Sequence, residues 1–221
     1  MPFSSVLGAS SVVKPGVCTS ATRPTVPYVG QLIFETDTNR LSVWNGSSWI
    51  YMVDADAPPG LELIKTQTVG TSVTSVTVAN VFSAAHDRYL VTLAGGTTTT
   101  NRALNLTLGT TATGYYSSMM YITYSSSTIT GAPNNNGSSF ADVGVVTVDS
   151  MTGRFEINSP FLPMRTDISW LHGGTGSATQ ATYVGAGFLN NNTSYTDFTL
   201  TMAGSGAMTG GTIRVYGYRN S

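Results

Sequence analysis

The sequence predicts an all-β protein: an N-terminal extended arm and a three-stranded meander, followed by a jelly-roll-like antiparallel β-sandwich. Three observations predict it. Short runs in which apolar and polar residues alternate recur along the chain, with the period of a half-buried strand. Turn-forming residues separate those runs, among them 24 Gly and nine Pro in 221 residues. No stretch from Leu61 onward places apolar residues at helical spacing.

Residues 1–29 contain Gly8, Pro15, Gly16, Pro24 and Pro27 among Ser, Thr and Val. That composition reads as an extended arm with at most one short strand, an arm that needs a partner to order it. Residues 30–53 form the segment whose turn chemistry is most explicit. Gln31–Glu35 is rich in bulky and β-branched residues, Asp37-Thr38-Asn39 supplies a turn, and Leu41–Trp44 alternates. Asn45-Gly46 then predicts a type I′ hairpin turn, with Trp49-Ile50-Tyr51 as the third strand. Three strands with this much aromatic surface cannot form a core alone. Leu32, Phe34, Trp44, Trp49 and Tyr51 are therefore the expected attachment or oligomer interface.

Asp54-Ala55-Asp56-Ala57-Pro58-Pro59-Gly60 reads as a linker over 54–60, stiffened by paired prolines and released by glycine. The β-sandwich is expected over 61–221. Its strands are predicted at Val73–Val78, Tyr89–Leu93, Leu104–Leu108, Met119–Tyr124, Val143–Val148, Arg154–Ile157, Ile168–Leu171, Tyr183–Leu189, Phe198–Met202 and Ile213–Tyr218. Leu104, Leu106 and Leu108 share one face, with Asn105 and Thr107 on the other, which is the one-sided burial of antiparallel sheets. Gly95–Thr100, Pro133–Gly137 and Gly173–Gly176 are expected as loops at the ends of the sandwich, where binding residues concentrate on a rigid scaffold.

Pro27–Gln31, Glu35–Arg40 and Trp44–Trp49 resemble a segment recurrent in fibre and minor tail proteins of tailed bacteriophages, and Gly210–Arg219 is similar to the closing strand of such virion proteins. The resemblance implies a virion structural component of the fibre, minor tail or head-decoration type, made in the host cytoplasm and located in the virion. It further implies a homotrimer that contacts other virion proteins through its N-terminal region. An uncovered arm and an aromatic sheet without intrachain partners supply an independent reason for cyclic association.

Composition excludes several other classes. Charged residues make up 10% of the chain and the net charge is -1, with Lys14 and Lys65 as the only lysines. No basic face exists for phosphate neutralisation, so nucleic acid is not an expected partner. No run is long and apolar enough to insert in a membrane, and the N-terminus lacks the cationic start of a secretory signal, which predicts a soluble product. Cys18 is the single cysteine, so no intrachain disulfide forms.

No catalytic, cofactor-binding or metal-binding constellation is expected. His86 and His172 have no ligand-spaced neighbours, no nucleophile elbow occurs, and His86-Asp87-Arg88 reads as a turn held by local charge pairing. Asp142 with Asp149 or Glu156 are the carboxylates a hydrolase of cell-surface polysaccharide would use. Their context is a turn at Asp149–Gly153 and an outward position beside Phe155 and Ile157. Tyr115, Tyr116, Tyr124 and Trp170 are candidate contacts to bacterial surface glycan, because aromatic faces stack on the apolar faces of sugars. Alternation places about half of such rings in the core instead. Two functions are thus expected, a trimeric fibre or tail-tip protein that displays the sandwich for glycan recognition or a capsid- or tail-decorating protein that binds no receptor, with a cell-surface polysaccharide hydrolase as a remote alternative.

Overall fold

The computed structural model describes residues 15–52, 60–175 and 180–219. The expected linker, apart from Gly60, and the arm before Pro15 lie outside the described residues, as does Gly176. The chain divides into two compact units, 1–59 and 60–221. Every regular element among the described residues is a strand.

The smaller unit is a four-stranded sheet in the order β1 (Gly16–Cys18), β2 (Leu32–Glu35), β3 (Arg40–Trp44), β4 (Trp49–Tyr51). The meander β2–β4 is antiparallel, with Ile33 opposite Ser42 and Ser42 opposite Tyr51. β1 adds in parallel, with Val17 opposite Phe34. The later part of the arm thus finds its partner in the meander itself. Ser20 donates from its N–H and hydroxyl to Asp37, and the Arg23 Nε donates to Glu35 Oε1 at 2.6 Å. These tethers join residues 12 and 17 apart, which local composition does not reveal. The second hairpin also differs from the expected two-residue turn. Trp44 pairs with Trp49 across a four-residue loop, and Asn45 Oδ1 accepts from the N–H groups of Ser47 and Ser48. Asn45 serves as the acceptor of an Asx turn while Gly46 alone takes a positive φ, of 105°.

The larger unit contains β5 (Leu61–Thr68), β6 (Ser75–Val78), β7 (Arg88–Ala94), β8 (Thr97–Thr98), β9 (Arg102–Leu108), β10 (Tyr115–Thr123) and β11 (Ile129–Gly137). It continues with β12 (Phe140–Val146), β13 (Met151–Asn158), β14 (Thr166–Thr175), β15 (Gln180–Leu189), β16 (Phe198–Met202), β17 (Met208–Thr209) and β18 (Thr212–Tyr218). All its pairings are antiparallel, and β8 with β17 forms a separate ribbon. The main sheet runs β5-β18-β7-β13 and then branches. Along one edge of β13, Met151–Gly153 pair with β12, while Phe155–Asn158 pair with β14. One arm continues β12-β9-β16-β6 and the other β14-β15-β10-β11. The result is an antiparallel β-sandwich whose layers part at β13.

Gly144 and Gly153 sit opposite each other beside that branch, and a Cβ on Gly144 would stand 3.0 Å from the Thr152 carbonyl oxygen and 3.3 Å from the Gly153 Cα. The backbones meet there because neither carries a side chain. Between the layers lie Tyr89, Val91 and Leu93 of β7, Leu104, Leu106 and Leu108 of β9, Phe155 and Ile157 of β13, Phe198 and Leu200 of β16, and Ile213 and Val215 of β18, all buried. The Phe198 ring packs against Phe82 at 5.9 Å and Phe155 at 6.1 Å between centroids. Tyrosine hydroxyls buried at the margin are satisfied: the Leu108 N–H donates to Tyr115 Oη, which in turn donates to the Thr111 carbonyl.

All ten expected strand segments overlap strands, although Val73-Thr74, Tyr124 and Thr147-Val148 lie outside them. Two of the expected loops do not remain loops: Pro133–Gly137 is the second half of β11, and Gly173–Thr175 ends β14. Gly95-Gly96 is a turn that leads into β8. The His86-Asp87-Arg88 triplet also acts beyond its own turn. His86 Nε2 lies 3.2 Å from Glu62 Oε2, and Arg88 pairs with Glu156 of β13.

Candidate functional site

In the smaller unit the expected interface residues divide between two faces. Leu32 and Phe34 share a face with their partners Val43 and Leu41, where Ile50 is also exposed. Trp44, Trp49 and Tyr51 belong to the face of Ile33 and Glu35. The Trp44 and Trp49 rings are 5.5 Å apart and tilted, both half-buried. Arg40 lies 4.5 Å above the Tyr51 ring, and Arg23 Nη2 donates to Tyr51 Oη at 3.1 Å. Glu35 is fully buried and accepts from Arg23 and from Thr38 Oγ1. The Arg23 hydrogen bond holds the Glu35 carboxyl below its ordinary value, and raises Arg23 in turn.

In the larger unit the strands β14, β15 and β10 have one buried and one open face. The buried face carries Ile168, Trp170 and His172 of β14, Ala181, Tyr183 and Leu189 of β15, and Tyr115 and Met119 of β10. Trp170 lies flat over Gly185, where a Cβ would stand 2.3 Å from the indole. His172 stacks on Tyr183 at 4.9 Å, and neither ring nitrogen has a hydrogen-bond partner. Burial lowers its pKa to about 4. Tyr115 is likewise enclosed, its hydroxyl pushed up to about 12 by burial. Of the four candidate glycan contacts, Tyr115 and Trp170 are therefore core residues whose rings no surface ligand reaches.

Tyr116 and Tyr124 stand on the open face. The strand register aligns that face in rows: Asp167, Phe188 and Tyr116; then Glu156, Ser169, Ala186, Ser118 and Pro133; then Leu171, Val184, Met120 and Gly131. Tyr116 and Phe188 stack with centroids 5.2 Å apart and planes 11° from parallel, and Arg165 lies 4.7 Å above Phe188 while pairing with Asp167. Beside this aromatic pair is a shallow depression of about 470 Å³ lined by Tyr116, Ser117, Ser118, Asn134, Ala186, Gly187 and Phe188. A second, of about 210 Å³, opens at the other end of the small-residue row, between Arg154 and Glu156 of β13 and Ser169 and Leu171 of β14. Glu156 is held there by Arg88 and by the Tyr218 hydroxyl. Met120, Ile122, Ile129 and Val184 line a third, apolar hollow of about 150 Å³.

Phe188, Ser118 and Ala186 were not expected as site residues. Phe188 lies within an expected strand at the same parity as Val184 and Ala186, and that parity was the available signal. Asn134 falls in the expected binding loop Pro133–Gly137, but it lies opposite Ser117 and turns its amide to the other face, where Nδ2 donates to the Ser139 carbonyl. Of the carboxylates a hydrolase would use, Asp142 sits in a register shift of β12 with φ 58°, and burial raises its pKa. No group of three or more metal-ligating side chains occurs among the described residues.

No family model matches the chain, and no curated protein matches it. Among solved structures, a chain in the structure of infectious bursal disease virus, Gx strain, aligns at 13% identity with a TM-score of 0.10, over 88% of this chain and 46% of that one. This chain thus spans about half the length of its structural neighbour, and a likeness of that degree carries no argument here.

Proposed function

We propose that the chain is a structural component of a bacteriophage virion, a homotrimeric fibre or tail-tip protein. Its smaller unit attaches it to the particle, and its larger unit displays a β-sandwich for recognition of bacterial surface glycan. The observation that carries the recognition half is the open face of β14, β15 and β10, where a stacked aromatic pair borders hollows lined by serine hydroxyls. Aromatic faces with adjacent neutral hydrogen-bonding groups suit sugars, whose rings are apolar on one face and hydroxylated at the rim. The virion half is supported by the resemblance of residues 27–49 and 210–219 to phage virion proteins. Mass spectrometry of purified particles, with antibody labelling in electron micrographs, tests that half; absence of the chain from particles rejects it.

A second reading, a capsid- or tail-decorating protein without receptor, is favoured by one specific feature. Met120 at 54%, Ile129 at 61% and Leu171 at 50% exposure extend the same face as uncharged apolar surface, such as an assembly contact would cover. Purified protein that fails to compete with phage adsorption, while labelling a regular head or tail lattice, selects this reading over the first.

A further inference from the structure

We infer that the two hollows beside the aromatic pair and beside Glu156 are the ends of one trough, and that the trough takes a linear, neutral polysaccharide segment lying across the strands. This rests on the proposed reading of the sandwich as the recognition unit and adds the site and the ligand class.

The argument begins with register. Glu156 is opposite Ser169, Ser169 opposite Ala186, Ala186 opposite Ser118, and Ser118 opposite Pro133, so one row crosses β13, β14, β15, β10 and β11. Between Glu156 and Pro133 the row is built of small side chains, whereas the rows flanking it carry Phe188 and Tyr116 on one side and Leu171, Val184 and Met120 on the other. Large rows on either side of a small row make a channel, and the hollows lie at its two ends. Four inter-strand steps of about 4.8 Å make the floor about 19 Å long, and four residues along a strand set the flanking rows about 13 Å apart. That suits an extended oligosaccharide of several rings rather than a single sugar.

Chemistry then narrows the occupant. The floor offers exposed hydroxyls of Ser118 and Ser169 and no charge over its central length. Tyr116 and Phe188 offer ring surface at one end, beside the Ser118 hydroxyl. Arg165 is engaged by Asp167, and Glu156 by Arg88 and Tyr218, so neither end presents an open pair of cations for a polyanion. Arg154, at the Glu156 end, is the guanidinium lining the trough that has no carboxylate partner among the described residues. An extended peptide is disfavoured, because a chain running across the strands cannot add to the backbone hydrogen-bond ladder.

The test uses the full chain on immobilised dextran and mannan as neutral polymers and on alginate and hyaluronate as acidic ones, with three variants. Ala186→Trp fills the middle of the trough from a solvent-facing position, Tyr116→Ala removes one ring, and Arg154→Ala removes the unpartnered cation. Expected is binding to a neutral polymer, weakened at least tenfold by Ala186→Trp and by Tyr116→Ala and unchanged by Arg154→Ala, with each variant's strand signal and melting temperature like the wild type. Binding that survives both trough variants overturns the site while leaving glycan recognition standing. Binding confined to the acidic polymers and lost in Arg154→Ala overturns the neutral class. Failure of the wild type on all four polymers, when intact phage adsorbs to the same surfaces, overturns recognition by this chain and the trough with it.

Discussion

The two units are held together by different physics. Among the described residues of the smaller unit the one fully buried large apolar side chain is Ile33; around it the buried groups are polar, Glu35 and Ser42, and cohesion runs through Arg23, Thr38, Tyr51 and the Ser20–Asp37 bonds. The larger unit instead encloses aromatic and aliphatic side chains from both arms of a branched sheet. The contrast teaches that the same strand pattern tolerates two kinds of interior. A small sheet has too little area for an apolar core and relies on directional bonds, whereas the sandwich relies on burial and close packing. The two should therefore fail under different perturbations.

The largest effect is expected from the apolar interior. Phe198→Ala removes a ring that is fully buried between Phe82 and Phe155, and should destabilise the larger unit by about 4 kcal/mol. Denaturant titration, followed by hydrogen exchange in β7, β9 and β16, measures it. A loss below about 1 kcal/mol would show that the interior there is loosely packed and that the contrast is wrong.

Acid should reach the larger unit first. His172 is neutral when folded, with a pKa lowered to about 4 against 6.5 for the free side chain. Between those values the unfolded chain binds the extra proton, so stability is full above about pH 6.5 and falls as pH drops towards 4. The difference amounts to about 3 kcal/mol. His172→Phe, which also removes two unpartnered buried nitrogens, should flatten that slope. An unchanged slope in the variant would assign the acid sensitivity elsewhere. Glu35 has the opposite character, an ionised group whose folded pKa is lowered. Its contribution is present above the ordinary carboxyl range and lost only as pH falls through the lower folded value, so the smaller unit should hold at pH 5 where the larger has already weakened.

These differences bear on what the sequence made legible. Ten strand segments were readable because alternation survives in each, as in Tyr89–Leu93 and Phe198–Met202. β11 was not, since Ile129–Gly137 contains Pro133, three consecutive Asn and two Gly; pairing with β10 imposes the extended form on a segment of poor intrinsic preference. As an edge strand it tolerates Pro133, whose missing N–H is not needed on the unpaired side. β5 was passed over although Leu61, Leu63 and Lys65 alternate, because its partner β18 lies at the far end of the chain. Which face turns inward was the harder matter. Tyr115 and Tyr116 are neighbours of one type, and alternation requires that they part without saying which is buried. The long-range pairing of β10 with β15 decides it.

A direct strike on the polar interior should cost less than one on the apolar interior. Glu35→Gln keeps the shape but removes the charge facing Arg23, whose side chain is about a third exposed and can turn to water. The expected loss is about 2 kcal/mol, below the figure for a fully buried pair because of that exposure. Trp44 and Trp49 fluorescence together with exchange of residues 30–51 reads it. A loss matching Phe198→Ala would mean that the charge pair dominates the smaller unit far more than its partly open geometry allows.

The smallest effect sharpens the comparison most, because it isolates one hydrogen bond. Thr38 Oγ1 donates to Glu35 Oε2 at 2.9 Å, the second of the side-chain donors that hold the carboxylate in its ionised form. Thr38→Val keeps the β-branched shape in the turn and deletes that donor, leaving Arg23 as the main support. A hydrogen bond to a charged group is worth about 1.5 kcal/mol, and the half-buried position of Thr38 lets water replace part of it, so the expected loss is about 1 kcal/mol. The same deletion should raise the Glu35 pKa towards its ordinary value, and the acid-induced loosening of the smaller unit should then begin at a higher pH than in the wild type. Stability and the onset of loosening must move together if hydrogen bonds to Glu35 hold this sheet. A stability loss with no shift in the acid transition would instead assign the role of Thr38 to the turn between β2 and β3.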